Sequence, residues 1–355
     1  MNYDVNFMYR CLQLARIGEG YVAPNPMVGA VVVHNNRIIG EGYHHRYGEA
    51  HAEPHAIDSV KETHLLHEST LYVNLEPCSH FGKTPPCANL IITKRIPRVV
   101  IGTSDPNPKV SGRGIEMLKN AGVEVVVGVL EKECYELNKR FFTWVKEGRP
   151  FVLLKWAQTR DGFIDRLRND LGKGPVQISN LLTKQFTHKY RAQNQSIMVS
   201  TNTAVLDNPN LSVRRWAGKN PVRIVLDRTG RVPQDYHLFD NSVRTLVFTE
   251  LHDRQSTEKL EFITIDFSND MLRTVLSTLA RKNIHSVLVE GGSQLLTSFI
   301  ESGLWDEAHV EISTSELNEG VPAPRLGVLV ERSAYVEGHQ WIDYVNRAKK
   351  FRQMP

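Results

Sequence analysis

Three side chains able to ligate a transition metal, and one carboxylate, stand in close order early in the chain: His51-Ala52-Glu53, then Pro77-Cys78, then Cys87. One imidazole and two thiolates give Zn2+ three protein ligands, and an ion so held keeps its fourth tetrahedral position for water, the pattern of a catalytic site. Side chains two residues apart diverge inside a helix, so His51 and Glu53 serve one centre only at a helix entrance. Pro54 marks that entrance, because proline is tolerated in the first turn, where its missing N–H would be unpaired anyway. Thiolates are favoured at the positive end of a helix, which puts Cys78 and Cys87 at or near helix N-termini. Zinc lowers the pKa of water toward neutrality. Glu53, not a ligand, is the candidate catalytic proton shuttle, and hydrolytic deamination of a nucleobase-like ring uses this set of groups. Taken singly, His51 reads as a helix cap and each cysteine as an incidental small side chain. The ordered pattern of His-x-Glu, a strand ending Glu76-Pro77-Cys78 and a second cysteine in the next loop carries the zinc assignment. His45, His55, His64 and His67 read as surface or loop residues, which leaves His44 and His80 for the site.

The elements that must position these groups follow from periodicity. A helical apolar stripe from Asp4 to about Ile17 ends at Gly18 and Gly20. Met27 to His34 and Arg37 to Tyr43 read as a β-hairpin turning at Asn35-Asn36, a pair that tolerates positive φ. Helices near Glu53 to Lys61, after Cys87, Gly114 to Asn120 and Glu131 to Trp144 alternate with strands Thr70 to Leu75, Pro97 to Ile101 and Val123 to Val127. Such alternation predicts an α/β sheet covered by helices. The polar stretch Lys146 to Pro150 is the expected domain boundary. Beyond it, Phe151 to Trp156, Val222 to Leu226, Thr245 to Phe248, Phe262 to Ile265 and Ser286 to Val289 read as strands. Met271 to Arg281 and Gln294 to Ser302 read as helices, and Glu316 to Val330 as irregular.

Bulk properties restrict the classes of function. A chain of 355 residues exceeds what one core normally supports, so two domains are expected. Its net charge of +4, without runs of like charge, argues against a nucleic-acid arm. The sequence opens without an apolar leader and has no span of membrane length, which predicts a cytoplasmic protein off the membrane. Four cysteines are too few for a disulfide scaffold, and Cys11 and Cys134 fall where small buried hydrophobes belong.

The long Ser79 to Pro86 insert between the cysteines, with Pro24-Asn25-Pro26-Met27-Val28-Gly29, Gly42-Tyr43-His44, Asp105-Pro106-Asn107-Pro108 and Gly112-Arg113-Gly114, resembles the bifunctional riboflavin-biosynthesis deaminase/reductase family. The resemblance implies a cytidine-deaminase-like three-layer domain over residues 1–147 and a dihydrofolate-reductase-like α/β domain over 150–355. It further implies a phosphorylated diaminopyrimidinone substrate, Zn2+ and NADPH as cofactors, and a homo-oligomer, dimer or tetramer. Carried over by position, Asn25, His44, Lys83 and Thr84 contact the deaminase substrate. The amide of Asn25 suits a ring edge, and Lys83 and Thr84 suit ribose or phosphate.

In the second half, Val289-Glu290-Gly291-Gly292-Ser293 follows a strand and opens a helix, where glycines let a phosphate-bearing cofactor approach backbone N–H groups. By resemblance Ala157, Gln177, Thr203, Asp207, Gly291 and Gly292 fall on cofactor positions, and Arg191, Leu211, Arg214 and Glu290 on substrate positions. A guanidinium fork suits phosphate. The chain departs from the family where Ser-x-Trp-Ile-Thr becomes Pro175-Val176-Gln177-Ile178-Ser179, and where Ser-Leu-Asp-Gly becomes Thr159-Arg160-Asp161-Gly162; an aromatic cofactor contact is thereby lost. Two rival readings are a deaminase acting on a base in tRNA or single-stranded nucleic acid, and an active deaminase joined to a non-catalytic binding or oligomerisation module.

Overall fold

The structure, a computed structural model, describes residues 3–79, 85–107, 111–168 and 173–346. The chain divides into two compact units, Met1–Gly148 and Arg149–Pro355.

The first unit runs α1 (Tyr3–Ile17), β1 (Gly29–His34), β2 (Arg37–Tyr43), α2 (Ala52–Asp58), β3 (Thr70–Leu75), α3 (Cys87–Thr93), β4 (Arg98–Thr103), α4 (Arg113–Asn120), β5 (Glu124–Val127), α5 (Glu131–Leu137) and α6 (Lys139–Glu147). Its strands lie in the order β2-β1-β3-β4-β5. The hairpin and the β1–β3 pair are antiparallel, and β3, β4 and β5 are parallel. Asn35 and Asn36 turn the hairpin with φ of 48° and 58°, the left-handed pair that a two-residue turn demands. Alternation along the strands sends side chains to opposite faces. Val32, Val73 and Ile101 pack with Ala56, Ile57 and Ile91 of α2 and α3, while Val31, Tyr72 and Val100 pack with Met8, Leu12 and Cys134 of α1 and α5. Three layers result, as the resemblance implied. Gly42 lets α2 lie against the hairpin: a Cβ there would sit 2.4 Å from the Ala56 nitrogen.

The single helix expected from Glu131 to Trp144 is two helices, and the break is Asn138, at φ −108° and ψ 17°. Its buried carboxamide accepts from the Met27 amide and donates to the Met27 carbonyl, both at 2.8 Å. A side chain committed to backbone 111 residues away in sequence leaves no trace in helical periodicity.

The second unit runs β6 (Phe151–Gln158), β7 (Phe163–Asp165), α7 (Leu181–Gln193), β8 (Ser196–Ser200), α8 (Thr201–Asp207), β9 (Val222–Leu226), β10 (Thr245–Thr249), β11 (Leu260–Thr264), α9 (Met271–Arg281), β12 (Ser286–Val289), α10 (Ser293–Glu301), β13 (Glu307–Ile312), β14 (Val321–Pro322), β15 (Val330–Val336) and β16 (His339–Val345). A nine-stranded sheet has the order β11-β10-β9-β8-β12-β6-β13-β16-β15, and β7 pairs with β14 apart from it. Pairing is parallel from β11 through β13 and antiparallel through β16 and β15. Val152, Leu154 and Trp156 of β6 meet α9 and α10 on one face, and Phe151 and Leu153 pack with Ala204 and Leu238 on the other. A mostly parallel sheet buried on both faces and closed by an antiparallel hairpin fits the dihydrofolate-reductase-like expectation.

Sequence periodicity did not reveal α7, β8, α8, β13 or the final hairpin. In α7 only Thr183 and His188 are buried, so the helix has no apolar stripe to detect. The irregular segment carries β14 and, at its last residue Val330, the start of β15, and the Asp161 carboxylate anchors it by accepting from the amides of Leu317 and Asn318 at 3.1 and 2.7 Å.

Candidate active sites

His51 is the N-cap of α2, extended at φ −73° and ψ 178°, and Glu53 lies in the first turn. Cys87 is the first residue of α3. Cys78, in the loop after β3, reaches the same helix end: its sulfur accepts from the Cys87 amide at 3.3 Å, and its carbonyl accepts from the Ala88 amide at 3.2 Å. Both sulfurs therefore share one positive helix terminus. The His51 Nδ1 atom is 3.6 Å from Cys78 Sγ and 3.4 Å from Cys87 Sγ. A tetrahedral zinc with Zn–N near 2.0 Å and Zn–S near 2.3 Å holds its N and S ligands about 3.5 Å apart, so both nitrogen–sulfur distances already have the spacing the ion requires.

Electrostatics agree with that fit. Hydrogen bonding by Cys87, opposed by burial and helped by His51 and the Cys87 amide, holds the Cys78 thiol well below the usual thiol range. Its hydrogen bond to Cys78 raises His51 to about 9, so the cluster carries protons that a divalent cation would displace. Burial pushes Glu53 up to about 7, with His51 opposing, a value matched to passing a proton in both directions near neutrality. Glu53 is 3% exposed, and its Oε2 has no hydrogen-bond partner. An unpaired buried carboxylate oxygen beside three metal-ligating atoms fits a site that takes a metal ion and water.

Burial lowers His44 below the usual imidazole value. Its Nδ1 lies 2.9 Å from the Ala50 carbonyl and so must carry the proton, which leaves Nε2 to accept from Asn25 Nδ2 at 3.0 Å. The His44 ring stands edge-on to His51 with centroids 5.5 Å apart. Asn25 and His44 thus belong to the zinc cluster's surroundings. Lys83 and Thr84, like His80, lie outside the described residues.

Several positioning groups escaped sequence reading. Buried Asn74 accepts from the Gly29 amide at 2.8 Å and donates to the Met27 carbonyl at 3.1 Å. With Asn138 it clamps the loop that presents Asn25. Glu76, next to Pro77-Cys78, accepts from the amides of Asp105, Gly112, Gly114 and Ile115 at 3.0 to 3.4 Å. Gly114 is required there, because a Cβ would fall 2.1 Å from the Pro77 carbonyl oxygen. Glu76→Ala would strand these amides, each costing about 1–3 kcal/mol if left unsatisfied, and would loosen the Cys78 loop. The expected result is zinc affinity weakened roughly 10- to 100-fold, the usual effect of removing an outer support of a metal site, as read by competition with a chelating dye.

The second unit holds a cavity of about 670 Å3, within the usual range for ligand sites. Ala157, Gln177, Thr203, Asp207, Gly291 and Gly292 line it, as do Arg191, Arg214 and Glu290. Leu211 does not join them: its side chain packs into the apolar core beneath β8 and β9, and its backbone sits at φ 54°. Any contact it makes with a ligand must come from its backbone. Gly292 is the N-cap of α10, and no side chain caps that helix. Cβ atoms at Gly291 and Gly292 would approach Thr203 Oγ1 to 3.1 and 3.2 Å. The glycines therefore keep open a backbone cradle at a helix start, suited to a phosphate-bearing cofactor.

Arg191 and Glu290 form a two-pronged pair at 2.8 and 2.6 Å, and Asp207 is paired with Arg168. Lys155, fully lined by protein yet facing the cavity, is lowered by burial, and its Nζ is 4.0 Å from the wholly buried Glu311. Glu311 also accepts from Ser179 Oγ at 2.6 Å and contacts His339 Nδ1 at 2.7 Å, fixing the Gln177 loop to β13. Lys155, Glu311 and His339 are far apart in sequence, and only sheet order joins them.

Residues 1–103 match the family model for the cytidine and deoxycytidylate deaminase zinc-binding region, and residues 150–314 match the RibD C-terminal domain. The chain is 39% identical over 329 residues to the riboflavin biosynthesis protein RibD of Aquifex aeolicus (strain VF5), covering 92% of this chain and 91% of that one. It is 42% identical over 311 residues to RibD of Bacillus amyloliquefaciens, covering 85% and 82%. A solved diaminohydroxyphosphoribosylaminopyrimidine deaminase/5-amino-6-(5-phosphoribosylamino)uracil reductase from Thermotoga maritima superposes with a TM-score of 0.86 at 38% identity, covering 96% of this chain and 98% of its own.

Proposed function

Because this chain belongs to the RibD family of riboflavin biosynthesis proteins, we propose that it performs two successive reactions on one phosphorylated pyrimidine. The first is hydrolytic deamination of 2,5-diamino-6-ribosylamino-4(3H)-pyrimidinone 5′-phosphate by residues 1–147. The second is NADPH-dependent reduction of the ribosyl group to ribityl by residues 150–355. The observation that carries the first step is the set of His51, Cys78 and Cys87, whose ligating atoms lie within 4.8 Å of one another beside Glu53, whose Oε2 has no hydrogen-bond partner. Zinc held there supplies a Lewis acid that makes water acidic near neutral pH. Glu53 takes a proton from the attacking water and returns it to the leaving amine, so one water is consumed and one ammonia released. Asn25 and His44, locked together, orient the ring, and Lys83 and Thr84 take the ribose phosphate.

For the second step NADPH supplies the hydride. Gly291, Gly292, Thr203, Ala157, Asp207 and Gln177 line its place, and Arg191, Arg214, Glu290 and the Leu211 backbone serve the substrate. The match of the second half to the RibD C-terminal domain favours this reading over a nucleic-acid deaminase and over an inert carboxy-terminal module. Among the described residues no helix is long and apolar enough to cross a membrane. A homo-oligomer, dimer or tetramer, working in the cytoplasm on a small molecule is the form that fits the family.

The decisive experiment follows ammonia and NADPH consumption together on the phosphorylated pyrimidine. Stripping the metal by chelation is expected to stop ammonia release while leaving NADPH oxidation intact on substrate already deaminated. If both rates fell together and both returned together with zinc, separate sites for the two steps would be ruled out.

A further inference from the structure

The cavity of the second unit gathers more positive charge than the residues named so far explain. Lys184, His188 and Arg191 recur at helical spacing on α7 and so share one face, and all three line the cavity with Arg214 and Arg215. Arg191 is neutralised by Glu290, and Arg168 by Asp165 and Asp207. No carboxylate among the described residues forms an ion pair with Lys184, Arg214 or Arg215. The surroundings register this excess. Burial, and then Arg191 and Arg214, drive His188 down to about 4, and burial, with Arg191 and Arg215, lowers Arg214. Lys184 is half-buried and Arg214 and Arg215 are exposed along the cavity wall, and cations gathered in a concave site without protein counter-charges attract an anion.

The departure at Gln177 belongs to the same feature. Where the family resemblance calls for an aromatic ring, the Gln177 Oε1 accepts from Lys184 Nζ at 2.6 Å. One of the three ammonium hydrogens is thereby fixed, and two remain for a ligand. A phosphate monoester carries about −1.5 to −2 charge at neutral pH, more than the single guanidinium of Arg214 balances.

We propose that Lys184 and Arg215 join Arg214 in a phosphate-monoester subsite, with Gln177 acting by holding Lys184 in place rather than by stacking on a cofactor. The proposal rests on the reductase reading and deepens it. Two ligands of that reaction carry such a group, the ribose 5′-phosphate of the substrate and the 2′-phosphate of NADPH.

The test uses the full chain with Lys184→Met, Lys184→Arg and Arg215→Met. NADPH and NADH dissociation constants are measured by fluorescence titration, and KM is measured for the deaminated pyrimidine with and without its phosphate. A thermal melt of the full chain, with the transition of the second unit unchanged from wild type, reports that each variant is folded. Losing a charge-assisted contact should weaken binding roughly tenfold or more, with Lys184→Arg retaining most of the affinity. A loss confined to NADPH, with NADH unchanged, assigns the subsite to the cofactor. A rise in KM confined to the phosphorylated pyrimidine assigns it to the substrate. If Lys184→Met and Arg215→Met leave both unchanged, the subsite is refuted. A wild-type chain that neither binds nor oxidises NADPH would instead overturn the reductase reading on which it rests.

Discussion

Glu53→Gln is expected to bind a full equivalent of zinc and yet release ammonia at least about 10²- to 10⁴-fold more slowly, the range for losing a positioned acid–base group. The reason is local. Glu53 is not among the three ligating atoms, so the metal set survives the change. Glutamine keeps the volume of a side chain that is 3% exposed, so the packing survives too. What disappears is a carboxylate that burial raises to about 7, able to hold a proton or yield it near neutral pH. Metal analysis and an ammonia assay on the same preparation check both halves of the expectation. Undiminished ammonia release would remove Glu53 from the mechanism, and loss of zinc would make it a ligand.

The second large effect is expected at Arg191. Its guanidinium and the Glu290 carboxylate are bound twofold, with side chains 13% and 11% exposed. Arg191→Met would leave Glu290 buried and unpaired. Breaking such a pair costs about 3–5 kcal/mol, which for a unit of this size corresponds to a fall in melting temperature of roughly 6–20 °C. Burial raises Glu290, but the charge and hydrogen bonds of Arg191 outweigh it and lower the carboxyl overall, so its contribution to stability is present above the unfolded carboxylate pKa and is lost as pH falls through the folded one. The double variant Arg191→Met with Glu290→Leu removes both charges and is expected to recover most of the stability, because apolar replacements of a buried pair are often neutral. It should still fail to reduce substrate. Thermal melts and NADPH oxidation on the two variants separate a structural role for the pair from a functional one. If the double variant regained reductase activity, the pair would have no part in binding.

The zinc cluster was legible in the sequence because its ligands are constrained locally. Pro54 fixes a helix entrance, a strand ends at Leu75 before Cys78, and a new helix begins at Cys87, so chain order alone brought the four groups near one another. The hairpin and most strands were equally visible, since burial on a sheet imposes a period that the residues must obey. What the sequence could not express was pairing between segments distant along the chain. Asn138 breaks a helix to hold Met27, Glu76 gathers four amides from the stretch after β4 and the start of α4, and Glu311 joins Ser179 and His339. Each is a buried polar group whose partner is chosen by sheet order and loop path. Periodicity records which face a residue turns to the core, but a hydrogen bond within the core depends on which strand lies next to which, and only the folded chain decides that.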